Sequence, residues 1–230
     1  RGPADQCGTA HDLFLWTNSA NHQNTGWGGG VCLYGGVLSN SVIIGNRSWD
    51  AGGGVALLGN GRVANCVITN NWMYGFNLTG GRGGGGVVLS AGQIENCLIA
   101  FNRLTHASHT NGGGVCMTGG RMLHCTVTEN TLAAGSSNAG LHVTGGAVTN
   151  SIFYFNGGVS PAVASENVFK SGGILTYSCM QPLIAGAGNI EDDPLFAHPA
   201  TNDFHLDSDS PCIDAGFTLS NVVIDLDGSP

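Results

Sequence analysis

Charge is scarce in this chain: Asp, Glu, Lys and Arg together make up 10% of 230 residues, and Lys170 is the single lysine. That scarcity excludes a nucleic-acid clamp, because no basic stripe exists to release counterions from phosphates. No apolar run reaches the roughly 18–20 residues of a membrane span. Ten-residue stretches with apolar residues at a 3.6 period are missing as well, which excludes a stack of helical repeats. The chain opens on Arg1 without Met or a secretory leader, so it reads as a mature or excised piece whose targeting and anchoring signals lie outside it.

Glycine is abundant instead, at 39 positions, and its placement is regular. Five times a Gly is followed ten residues later by an Asn: Gly36/Asn46, Gly61/Asn71, Gly92/Asn102, Gly120/Asn130 and Gly146/Asn156. A weaker copy, Gly8/Asn18, precedes them, and a degenerate one, SGGILTYSCM, follows at 171–180. Self-similarity with a period of 25–31 residues marks a solenoid.

Counting from the second corner Gly as zero, position +2 reads Leu38, Val63, Ile94, Met122, Val148 and position +7 reads Ile43, Ile68, Ile99, Val127, Phe153. Both are uniformly apolar and therefore inward. Upstream, after each GGG, Val31, Val87, Val115 and Leu141 alternate with mixed residues and with Leu33, Leu57, Leu89, Met117 and Val143. Three short alternating strands per turn, separated by Gly or Asn corners, predict an all-β parallel β-helix of about 6–7 rungs over residues 1–180. At strand spacing this is a rod roughly 30 Å long. Residues 181–230 form an irregular, acidic C-terminal tail or cap, since 191–230 hold nine carboxylates and no Lys or Arg.

Position +4 (Asn40, Asn65, Asn96, His124, Asn150) and the +10 asparagines are expected to stack as ladders at bends, where Asn tolerates the left-handed conformation. Position +5 (Ser41, Cys66, Cys97, Cys125, Ser151) is a small-residue ladder. Its cysteines share parallel Cβ directions at rung spacing, so buried thiols rather than disulfides are expected there. Cys32 and Cys116, three rungs apart, are too far to join. Cys179 and Cys212 stay open as a bridge between the last rung and the tail.

The GGGV segments at 28–31, 52–55, 84–87 and 112–115, paired with VIIGN, VITNN, LIAFN and FYFN, resemble the repeats of chlamydial-type polymorphic outer-membrane proteins. More broadly they are similar to bacterial right-handed parallel β-helix surface proteins. GNIEDDPLF, DFHL, SPCIDAG and DLDG in the tail resemble the C-terminal segment of choice-of-anchor Q proteins. The resemblance implies a β-helix and a life at the bacterial cell surface or outside the cell, with no membrane span in this chain. It implies no reaction, and the anchoring mode is not carried over.

Candidate chemistry is thin. A glycosidase needs two carboxylates at about 5–9.5 Å, and the repeat acids Asp12, Asp50, Glu95 and Glu129 never share an outward position on adjacent rungs. No catalytic residue is assigned. The segments between each +10 Asn and the next GGG vary freely and carry Trp27, Trp49, Trp72 and Tyr74 with Arg47, Arg82 and Arg103, the material of sugar stacking or protein adhesion. The alternative is that the rings fold back over the rod's corner. His106 and His109 lie in the same loops as further ligand-binding candidates. Asp192, Asp193, Asp225 and Asp227 suggest calcium, a cation that wants six to eight oxygens.

Position +6 (Val42, Val67, Leu98, Thr126, Ile152), with Tyr154 at +8, is outward yet apolar in four of five copies, so either the tail folds over it or another molecule covers it. Val42, Val67, Leu98, Ile152 and Tyr154 are accordingly the interface candidates. The reading is a non-enzymatic structural or adhesive module, with self-association into a homo-oligomer or polymer, or an extracellular glycan, as its partner. A carbohydrate-active β-helix is the alternative.

Overall fold

The computed structural model describes residues 8–22, 26–75, 83–105, 111–132, 139–157, 167–219 and 226–227. Four parallel sheets wrap one core. Sheet A stacks seven strands from Thr9–His11 to Ile174–Thr176, and sheet B seven from Phe14–Trp16 to Cys179–Met180. Sheet C stacks five strands, from Ser19–Ala20 to Thr131–Leu132. Sheet D stacks six, from Val31–Leu33 to Val168–Lys170. Within each column the registers match rung for rung, as in Val42↔Val67↔Leu98↔Thr126↔Ile152.

A turn thus contains four strands where the sequence pattern indicated three. The extra strand, sheet C, has two residues per rung and follows each +10 Asn at once, inside what read as variable loop. Two residues are too few to display a period of two. The inward columns fill the core as expected: Leu38, Val63, Ile94, Met122 and Val148 meet Ile43, Ile68, Ile99, Val127 and Phe153, all buried, across from Leu57, Leu89, Met117 and Val143.

The two corner ladders differ from each other. At +4, Asn40, Asn65, Asn96, His124 and Asn150 take φ between 47° and 53°, the left-handed bend expected of Asn. At +10 the left-handed residue is instead the one before the Asn: Thr17, Gly45, Asn70, Phe101, Glu129 or Phe155. The Asn itself turns its amide into the corner. Asn71 donates its backbone N–H and its Nδ2 to Asn102 Oδ1, both at 3.0 Å, and gives its other Nδ2 proton to Ile43 O at 2.8 Å. Asn18, Asn46, Asn102, Asn130 and Asn156 make the same donations to the next Oδ1. The last acceptor is Asn167, which lies outside the repeat pattern and passes the ladder on to Gln181 O.

The third glycine of each GGG admits this ladder, and the second admits the backbone of the neighbouring rung. A Cβ on Gly54 would stand 2.8 Å from Asn71 Nδ2, and one on Gly53 2.1 Å from Gly85 O of the next rung. The small-residue column has its own use: Ser41 Oγ accepts Leu13 N–H, Cys97 Sγ accepts Cys66 N–H, and Ser151 Oγ accepts Cys125 N–H. Among the described cysteines no disulfide is formed.

The tail lies back on the rod. The segment 181–190 crosses the end of the last rung, where Met180 N–H donates to Ile190 O and Ser178 N–H to Asn189 Oδ1. The antiparallel pair Phe196–His198 and Asp203–Leu206 then runs along the flank of sheet B, placing Phe196 against Phe155 and Phe204 against Phe101. Farther on, Phe217 exchanges two hydrogen bonds with the Asn150 amide and stacks near Tyr177.

Candidate ligand-binding edge

The tail resolves half of the apolar-flank question. At +8, Trp16 in the first rung is 64% exposed, whereas Ala100, Thr128 and Tyr154 in later rungs are buried. Tyr154, expected at an interface with another molecule, is instead covered by its own chain: its ring meets Phe155 and its hydroxyl reaches Gln181 Oε1. Ile152 likewise faces the tail across a cavity. Val42, Val67 and Leu98 remain half-buried on the uncovered part of the flank.

Sheet C supplies a second outward surface. Its outward column reads Ser19, Arg47, Trp72, Arg103, Thr131, each paired in register with the next. The inward partners Ser48, Met73 and Leu104 are fully buried, so the strands cannot flip and the outward side chains keep their side. The Trp72 indole is flanked by two exposed guanidinium groups, one strand spacing of about 4.8 Å to either side. Arg47 is positioned further by its Nε–H bond to Ser19 Oγ at 2.9 Å and by its Cζ lying 5.9 Å from the Tyr74 ring centroid. Tyr74 in turn packs edge-on against Trp49 at 5.3 Å and donates its hydroxyl proton to Asn21. The Trp49 indole N–H is buried and has no hydrogen-bond partner.

Five of the expected ligand residues, Arg47, Trp49, Trp72, Tyr74 and Arg103, thus share one edge. Trp27 does not join them. It bridges to Ala51, donates its Nε1–H to Asp50 Oδ2 at 2.6 Å, and packs on Ala51, Ala56 and Val88 over the outer face of sheet D. Its apolar ring covers a corner, as folding back requires. Arg82, His106 and His109 lie outside the described residues.

The carboxylates do not assemble a reaction centre among the described residues. Asp50 is buried beneath Trp27. Glu95 is 4% exposed and is held by Arg62 of the neighbouring rung and by Gln93. Positions +1 and +3 on adjacent rungs are diagonal neighbours on one face, and that spacing is the signal by which the pair was findable. No group of three His, Cys, Asp or Glu able to hold a metal stands among the described residues. Asp192 and Asp193 are exposed, and Asp193 accepts the Leu195 N–H. Asp227 binds His205, whose other ring nitrogen meets Asp203. Those two carboxylates raise the His205 pKa. Asp225 lies outside the described residues. His124, on the wall between sheet A and the tail, is shifted the other way, because burial disfavours its charged form.

Residues 16–156 match the family model described as a right handed beta helix region. No curated protein and no solved structure matches the chain. No helix among the described residues is long and apolar enough to cross a membrane.

Proposed function

Because the chain belongs to the right-handed β-helix family, we propose that it is a non-enzymatic structural or adhesive module of the bacterial cell surface or extracellular space, binding its partner along sheet C. The observation that carries this reading is the in-register strip Arg47, Trp72, Arg103. A half-buried indole between two exposed cations suits a ring stacked on the open part of Trp72 with anionic groups to either side. A sugar chain bearing carboxylate or sulfate fits that chemistry. The catalytic alternative, a polysaccharide lyase or glycosidase on the same edge, finds less support among the described residues, where Asp50 and Glu95 are both held by structural partners.

The test is a glycan array of neutral and acidic oligosaccharides, run beside assays for reducing ends and unsaturated products. Binding to acidic glycans without turnover, lost in Trp72→Ala and weakened in Arg103→Ala, is the expected result. Turnover that survives purification would replace adhesion by catalysis. Self-association is the second part of the proposal. Phe14 and Trp16, 63% and 64% exposed, continue the column that the tail covers farther along, and a second copy is the occupant assigned to them. Sedimentation of the wild-type chain and of Phe14→Ser/Trp16→Ser checks it. A monomer at high concentration removes that part of the reading and leaves the glycan strip standing.

A further inference from the structure

The described cysteines fall into two kinds. Cys66, Cys97 and Cys125 occupy one column of bends between sheets A and B, each buried and with its sulfur turned to the carbonyl two residues back. Cys179 and Cys212 come from segments that cross. Cys179 sits in the last strand of sheet B, where its neighbour in register is Ile152. Cys212 belongs to the tail turn in which Cys212 N–H bonds to Ser210 Oγ, and Ser210 in turn donates to Pro194 O. The two side chains are neighbours, and Cys179 donates its thiol proton to Asp192 O at 3.1 Å. Both line a cavity of about 570 Å3 between rod and tail, with His124, Asn150 and Ile152 on one wall and Asp214 and Phe217 on the other.

We propose that Cys179 and Cys212 are a disulfide site that clasps the tail onto the last rung, formed by exchange with a low-molecular-weight disulfide that enters through this cavity. Crossing segments let the two side chains approach from different directions, unlike the column cysteines, whose Cβ directions are parallel. Cys212, partly exposed where Cys179 is buried, is the attacking sulfur. Contact with Cys179 lowers the Cys212 pKa from the usual thiol value, while the same contact and burial push Cys179 up. The Cys212 thiolate attacks one sulfur of the oxidant, giving a mixed disulfide and releasing one thiolate. Cys179 then gives its proton to that thiolate, attacks the Cys212 sulfur, and expels a second thiolate, which takes up the proton that Cys212 released on ionising. Two protein thiols lose two electrons and two protons, and the oxidant leaves as two thiols.

The clasp closes over everything the tail covers. Phe196 and Phe204 on sheet B, and the Phe217 contacts with Asn150, lie between its two ends or just beyond Cys212. It is independent of any ligand on sheet C.

The wild-type chain suffices for the test. Reduced protein is incubated with oxidised glutathione, quenched with N-ethylmaleimide under denaturing conditions, and mapped by peptide mass spectrometry. The expected result is that titratable thiols fall from eight, the number of cysteines in the chain, to six, with one cross-linked peptide pair containing Cys179 and Cys212. Proteolysis of the tail should slow at least tenfold on oxidation, and Cys212→Ala should abolish that difference. Eight free thiols after incubation, or a cross-link between any other pair, overturns the proposal.

Discussion

Two columns one residue apart behave oppositely in this protein. Asn18, Asn46, Asn71, Asn102, Asn130 and Asn156 are the same residue in six rungs, while the residues that follow them in sheet C are Ser19, Arg47, Trp72, Arg103 and Thr131. The Asn side chain is used in full: both amide protons and the oxygen are engaged inside the corner. Aspartate lacks the donors, leucine lacks everything polar, and glutamine is one methylene too long, so no substitute keeps the ladder. The next residue points outward and meets nothing from the core, so its identity is free to follow a ligand. A solenoid of this kind separates what holds the coil from what touches a partner at single-residue resolution.

Breaking the constant column gives the largest expected effect. Asn102→Ala removes the acceptor of two protons from Asn71 and the donor to Ile68 O and Asn130 Oδ1. Each buried group left unpaired costs about 1–3 kcal/mol, so urea unfolding should show a loss of about 3–5 kcal/mol, a large share of a typical ~5–15 kcal/mol total. A loss below about 1 kcal/mol would mean that water replaces the ladder and that the contrast between columns is not energetic. Gly54→Ala should come next, at about 1–3 kcal/mol for overpacking, since its Cβ meets Asn71 Nδ2 and Gly86 O. Combined with Asn71→Ala it should cost less than the sum, because the second change removes the atoms that the first one strikes.

Most of the constant columns were legible in the sequence and most of the tertiary closures were not. Inward positions repeat every turn with apolar identity, so Leu38 through Val148 and Ile43 through Phe153 were placed correctly, as was the left-handed +4 corner. The two-residue strands of sheet C carry too short a pattern to register. Asn167 closes the ladder from outside the repeat, so no spacing marks it. Trp27 and Trp49 lie in equivalent loops, yet only Trp27 finds an apolar shelf, Ala56 and Val88, small enough to seat an indole. Tyr154 is buried because a tail with no repeat of its own lies over it, and contact between a repeat and a non-repeat leaves no periodic trace. For the site, the sequence supplied the right aromatic and cationic residues but not their alignment, which depends on the register of sheet C.

Changing the variable column should leave the fold nearly untouched. Arg103→Ala removes an exposed side chain and is expected to shift unfolding by no more than about 0.5 kcal/mol. Its signature should lie in binding: affinity for an acidic oligosaccharide falls, and so does the dependence of that affinity on salt, because one screened charge contact is gone. Arg47→Ala should do the same with a slightly larger stability cost, since Arg47 also holds Ser19 and lies by Tyr74. Equal loss of stability in the Arg and Asn variants would erase the distinction between the columns.

In the column just before the Asn the conformation is fixed while the identity varies. Glu129 occupies this left-handed position at φ 53°, and burial raises its carboxyl pKa. A carboxyl that titrates higher in the folded chain than in the unfolded one binds more protons when folded. Stability from this group is therefore full at low pH and falls as pH rises from the unfolded value through the folded one. Glu129→Asn places there the residue found at Asn70, which tolerates the bend better, and removes the desolvated charge. The variant should be more stable than the parent by about 0.5 kcal/mol, the ordinary range for a partly exposed site, at pH 7. The gain should shrink below the carboxyl's titration, where only the backbone preference remains. A gain independent of pH would assign the whole effect to the left-handed bend, and no gain at either pH would show that this column tolerates Glu as well as Asn.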